Sequence, residues 1–300
     1  MHNMTFEQFK EDILNKVQEK IGDQAEIVLS ENVKPNVGTL TGLLFKNNSN
    51  MYPTIYLDGF FEEYMADTMD TDSIVKEIMG KYENEKQVSF ILNFGDYNQI
   101  KPCLTYKLVN FDKNEKMLED SIYEKVLDLA KIVYVYVGKG DDGYFTARVT
   151  KNHTKHWGIS EQEVLKQAAL NTPTLFPATC MSMEDIIQSI VDESITELPE
   201  LDSIGDSNMF VITSTIKTFG AAAILYDELL KNLAKLLNDN LIVMPSSVHE
   251  MIVIRGSEID INVVKEMVKT INQEVLSVDD WLSDSVYLYD RVLDEIKVYN

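Results

Sequence analysis

The stretch Leu241-Ile-Val-Met-Pro-Ser-Ser-Val-His-Glu-Met-Ile-Val-Ile-Arg255 holds two apolar runs separated by a polar break. Leu241 to Met244 and Met251 to Ile254 each read as a buried strand, and Pro245-Ser246-Ser247 supplies turn chemistry, so the segment predicts an antiparallel hairpin. Immediately downstream, Val264, Met267, Val268, Ile271 and Val275 recur at helical spacing within residues 263–275. A helix is therefore expected to follow the hairpin and cover it.

The same succession occurs twice upstream. Ile132 to Val137 reads as a strand that turns through Gly138–Gly143 into the alternating strand Tyr144 to Val149. Ser160 and Glu163 then form a capping box, opening a helix that Asn171-Thr172-Pro173 is expected to close. Nearer the start, Ala25 to Leu29 and Leu40 to Phe45 flank the turn Pro35-Asn36-Val37-Gly38. A further strand at 52–57 and helices over 60–65 and 71–82 come next. Thr5 and Gln8 cap an opening amphipathic helix built on Phe6, Phe9, Ile13, Val17 and Ile21. Additional helices are expected over 115–131, from the Ser182/Asp185 cap through Val191, and over 221–237, with a strand at 209–214.

A hairpin-plus-helix unit occurring three times predicts the α+β class, with antiparallel sheets covered by helices. Residues 192–208 are acidic, carry Pro199 and Gly205 and show no periodicity. They read as a boundary loop between an N-terminal α+β region, 1–195, and a C-terminal one, 209–300, or as a long surface loop on one compact unit.

The chain of 300 residues carries 49 acidic against 27 basic residues, a formal charge of −22, with the acid spread along its whole length. Such a field repels phosphate backbones and anionic lipid, which argues against nucleic-acid and membrane-surface partners. No apolar stretch approaches the ~18 residues of a membrane span, and the N-terminus lacks the features of a signal peptide. The two cysteines, Cys103 and Cys180, lie far apart without a CxxC and read as free thiols. A cytoplasmic protein is expected.

Several strings are shared with a known group: Asn152-His153 with Trp157-Gly158, Asn171-Thr172-Pro173, Phe219-Gly220-Ala221-Ala222, Pro245-Ser246-Ser247-Val248-His249-Glu250, and Leu282-Ser283-Asp284 with Tyr287 and Tyr289. Together they resemble an uncharacterised family of unknown function found mainly in clostridial, gut-associated bacteria. The resemblance implies a bacterial cytosolic protein and carries no catalytic residues with it.

Three motifs invite chemistry. Gly138-Lys139-Gly140-Asp141-Asp142-Gly143 fits GxGxxG and follows a strand, but an alternating strand rather than a helix comes after it, and its two aspartates would repel a pyrophosphate. His153 and His156, at i and i+3, have metal-ligand spacing. They fall in a polar segment before the Ser160 cap, which reads as an exposed loop with Trp157 packed beneath. Ser247, His249 and Glu250 are the residue types of a hydrolase triad, yet one extended strand cannot bring serine, base and orienting acid into mutual contact. Glu62-Glu63 and Asp279-Asp280 are neighbouring carboxylates whose side chains diverge.

None of these patterns calls for a cofactor. The reading they favour is a non-catalytic module that binds another protein or a small ligand. The rivals are a hydrolase or metal-assisted enzyme using His249 and Glu250, with His153 and His156 brought near by the fold, and an acidic decoy that imitates DNA to occupy a basic protein.

Overall fold

Thr5 opens the first helix as the capping box predicts: its hydroxyl accepts the Gln8 amide at 3.3 Å and the Gln8 side chain accepts the Thr5 amide at 3.0 Å. In the computed structural model, residues 4–46, 54–86, 92–140, 143–186, 208–257, 260–274 and 276–299 are described. By packing they divide into two compact units: Met1–Gln99 with Val137–Phe145, and Ile100–Tyr136 with Thr146–Asn300. Residues 192–207 of the expected boundary loop lie outside the described residues, as does the expected helix beyond Ile186. Its cap is seen, with Ser182 Oγ accepting the Asp185 amide at 3.0 Å.

In the first unit, strands β1 (Glu26–Lys34), β2 (Gly38–Lys46) and β3 (Thr54–Tyr56) form an antiparallel sheet in the order β1-β2-β3. Helices Phe6–Ile21, Asp58–Met65 and Thr71–Lys86 pack with it. The helical stripe Phe9, Ile13, Val17 and Ile21 is buried against Ile27, Leu43, Phe45 and Ile55, and Ile74, Ile78 and Tyr82 join from the third helix. Phe45 stacks on Tyr82 at 4.5 Å. Each such fully buried side chain contributes about 1.5–3 kcal/mol, so this stripe holds the helix on the sheet.

The described residues form two further sheets. In one, β6 (Leu129–Gly140) pairs with β4 (Leu104–Asn110), β5 (Tyr123–Val126) and β7 (Gly143–Arg148). The other is six-stranded and antiparallel, in the order β13-β12-β10-β11-β9-β8. Its strands are β8 (Ala178–Ser182), β9 (Met209–Ser214), β10 (Leu241–Ser247), β11 (Glu250–Arg255), β12 (Tyr287–Asp290) and β13 (Glu295–Val298). The α+β class with antiparallel sheets is the observed one.

Several expected boundaries move. Residues 115–131 are helical only over Glu115–Leu118. Ser121 Oγ donates to the Met117 carbonyl at 2.6 Å, and the chain then pairs as β5 against β6, with Leu127 at φ 59° between them. Met117, Leu118 and Ile122 are buried, so their apolar spacing serves a turn and a strand instead of a long helix. The segment 221–237 is broken likewise: a 3-10 turn over Gly220–Leu225 is followed by the helix Leu229–Leu237, with Glu228 at φ 63° before it.

Pro173 does not close its helix, which runs from Glu161 to Leu175. The turn persists because the preceding residues are bonded from outside. Asn171 Nδ2 donates to the carbonyls of Lys101 at 2.7 Å and Leu104 at 3.1 Å, and Thr172 Oγ1 accepts the Tyr106 amide at 3.1 Å. The bonds to Leu104 and Tyr106 also satisfy main-chain groups of β4. In the helix Ile261–Glu274, Val264 and Val268 are buried against Ile242, Met244, Ile254 and Val286, whereas Met267 is 45% exposed and stands off the predicted core face.

Candidate functional site

The β10–β11 hairpin carries the serine, histidine and glutamate singled out in the sequence. Its strands are longer than the apolar runs, and the turn falls on Val248-His249, not on Pro245-Ser246-Ser247. Pro245 is tolerated inside β10 because the β12 partner stops at Val243, so no ladder bond is demanded of its missing amide on that side. The register slips between Pro245 and Ser247, a bulge that leaves Ser246 over. Ser246 Oγ donates to Glu250 Oε1 at 3.0 Å.

His249 is held at every polar atom. Its amide donates to Ser247 Oγ at 3.0 Å, and its carbonyl accepts from Thr213 Oγ1 at 2.8 Å. Its Nδ1 accepts the Phe219 amide at 3.1 Å, which leaves the proton on Nε2, facing Asp280 Oδ1 at 3.1 Å. The ring lies 5.8 Å from that of Phe219 at 26°. Phe219 sits in the left-handed region at φ 53°, with Lys107 Nζ 4.4 Å above its ring.

Asp280 is positioned in turn. Ser277 Oγ donates to its Oδ2 at 2.9 Å and accepts its amide at 3.2 Å, while the Asp280 carbonyl accepts the Val248 amide at 2.8 Å. Asp280 entered the sequence reading only as half of an adjacent pair. The signal for its role is the Ser277-Val278-Asp279-Asp280 spacing, a capping pattern, and Phe219 left no comparable signal. The imidazole and the carboxylate are 35% and 43% exposed.

Chemically, the group has the parts of an acid-histidine pair without a nucleophile on it. Ser247 Oγ is turned to the His249 amide, and Glu250 engages Ser246. A general base would need a ring nitrogen open towards a substrate or nucleophile. Here one nitrogen faces a backbone amide and the other a carboxylate.

His153 and His156 lie on a short helix, Lys151–Trp157, and not in the expected loop. The helix forms because His153 Nδ1 accepts the Thr150 amide at 3.0 Å, supplying the cap that the bare sequence did not reveal. His153 stacks on Trp157 at 5.6 Å and is half-buried. Burial lowers its pKa, with Arg148 and His156 adding to the effect and Asp120 opposing it. A neutral imidazole suits a metal, but its Nδ1 is engaged, and His156 points to solvent. Among the described residues no group of three or more His, Cys, Asp or Glu is placed to hold a metal ion. Glu62 and Glu63 are both exposed on their helix.

The GxGxxG string is flanked by strand on both sides, β6 ending at Gly140 and β7 beginning at Gly143. Asp141 and Asp142 lie outside the described residues. No described helix is long and apolar enough to cross a membrane.

No curated protein and no solved structure matches the chain. A family model does match, over residues 6–291, and the chain therefore belongs to the family of unknown function DUF5688.

Proposed function

We propose that this chain is a cytoplasmic, non-catalytic module that binds another protein or a small ligand. The observation that carries the reading is the double engagement of His249, whose ring nitrogens are occupied by the Phe219 amide and the Asp280 carboxylate. The residue most suited to acid-base work thus serves to lock a hairpin tip. The free, buried thiol of Cys180 fits a reducing compartment.

The test is a turnover screen of the purified chain on ester, amide and phosphoester substrates, run beside the His249→Ala variant. Background rates equal in both are expected. Saturable turnover abolished by His249→Ala would overturn the reading in favour of a hydrolase.

A further inference from the structure

We infer that His249 is an acid-sensitive latch on the segment 215–219: on taking up a second proton, its ring lets go of the Phe219 amide and keeps Asp280. The latch depends on the bonding of the hairpin tip alone and holds whatever the module binds.

Each ring nitrogen makes a bond that responds differently to a proton. Nδ1 accepts the Phe219 amide at 3.1 Å, a role open only to the neutral ring, and Nε2 donates to Asp280 Oδ1 at 3.1 Å. An imidazolium carries a proton on both nitrogens. Two donors then face each other at Nδ1 and the Phe219 bond is lost, while the Nε2 bond becomes charge-assisted and tightens. The imidazole is 35% exposed, so a proton reaches it without unfolding.

The released segment does not hold itself. Lys217 and Phe219 sit in the left-handed region at φ 54° and 53°, which is unfavourable for bulky side chains and persists only under bonds from outside. Ser214 supplies some of these: its Oγ accepts the Thr218 amide at 3.1 Å and donates to the Thr218 carbonyl at 2.8 Å. His249 supplies the next one along the chain. When the Nδ1 bond breaks, Phe219 relaxes towards negative φ. Its ring then leaves the Lys107 ammonium, 4.4 Å from the ring centre, and the His249 imidazole, 5.8 Å away.

The charges around the ring favour this outcome. Asp280 stabilises the imidazolium from Nε2, the side away from Phe219. Lys107, whose ammonium lies over both Phe219 and Tyr134, brings positive charge to the Phe219 side. On the hairpin itself Glu250 is engaged by Ser246, and Lys217 and Asp279, on the two neighbouring segments, are exposed. Thr213 of β9 is uncharged and donates to the His249 carbonyl.

The experiment takes the full chain from about pH 8 to about pH 5, the interval in which histidines ordinarily change charge. Exchange of the Phe219 and Val248 amides, corrected for intrinsic rates, and the Lys107 ε-methylene resonance are followed by NMR beside the His249 ring nitrogens. Phe219 protection should fall by about tenfold, the worth of one hydrogen bond, in step with the His249 titration. Val248, bonded to the Asp280 carbonyl at 2.8 Å, should keep its protection. The Lys107 resonance should move downfield as the Phe219 ring current is withdrawn. His249→Gln offers an amide oxygen but takes up no proton, and its Phe219 protection should be the same at both ends, whatever His2, His153 and His156 do. Phe219 protection in the parent that is flat with pH or falls out of step with the His249 ring would overturn the latch, even if the variant does not fold. A Lys107 resonance that stays in place, or a pH dependence that survives in folded His249→Gln, would overturn it equally.

Discussion

His249 and Asp280, 31 residues apart in sequence, meet at 3.1 Å through Nε2 and Oδ1, and the Phe219 amide on Nδ1 dictates that the proton lies between them. The pair ties the β10–β11 turn to the segment before β12. Nitrogen NMR of the neutral imidazole should show the Nε2-protonated tautomer. Asp280→Ala should destabilise the chain by about 1 kcal/mol in urea denaturation, the net worth of a hydrogen bond at a half-exposed site.

Gly220 is required by a close approach. A Cβ there would lie 2.5 Å from Thr213 Oγ1 and 2.6 Å from the His249 carbonyl, and would also strike the Ser214 amide nitrogen. Two of those atoms are main chain and cannot rotate away. Gly220→Ala should cost about 1–3 kcal/mol by overpacking and should shift the His249 imidazole resonances, whereas Gly59→Ala, with open space around it, should shift none of them.

Thr172 is buried, and its hydroxyl donates to the Ala168 carbonyl at 2.6 Å while accepting the Tyr106 amide at 3.1 Å. Thr172→Val keeps the shape and removes the acceptor. The Tyr106 amide is then left unbonded, and a loss of about 1–3 kcal/mol is expected in chemical denaturation.

The β12–β13 turn should loosen in acid. Asp290 is held below the usual carboxylate range by the Leu293 and Val292 amides, and Asp294 by the Tyr289 hydroxyl and Lys231. Carboxyls with depressed pKa values stabilise the fold above their ordinary value and cease to do so as the pH falls through the depressed one. Amide exchange at Val292 and Leu293, corrected for intrinsic rates, should therefore rise as the pH drops below about 4. Asp290→Ala should exchange rapidly at every pH.

Both thiols should resist alkylation. Burial pushes Cys180 up to about 12 and raises Cys103 as well. Since the thiolate is the reactive form, iodoacetamide at pH 8 should modify neither at the rate of a free cysteine, and mass spectrometry should find Cys103, the less buried, labelled first. Faster labelling of Cys180 would show that β8 is not packed as described.

Legibility followed the range of the interactions. The capping box at Thr5, the hairpin of β1 and β2 and the core stripe Phe9, Ile13, Val17 and Ile21 were all readable, because each is decided by residues within a few positions of one another. The run 115–131 misled because Met117, Leu118 and Ile122 are buried in a turn-and-strand path at nearly the spacing a helix would show. Pro173 misled because its helix is held by bonds to residues some 66 to 70 positions away.

The candidate site divides the same way. Ser247, His249 and Glu250 were visible as residue types, but their bonding was not: Phe219 and Asp280 reach His249 across 30 and 31 residues. Composition and periodicity by themselves determined the α+β class, the net charge of −22 and the antiparallel hairpins, since these depend on local spacing and on residue counts. Only the tertiary structure decided the order of the six-stranded sheet and the occupation of both His249 nitrogens, because hydrogen bonds between distant segments leave no periodic trace in the chain that makes them.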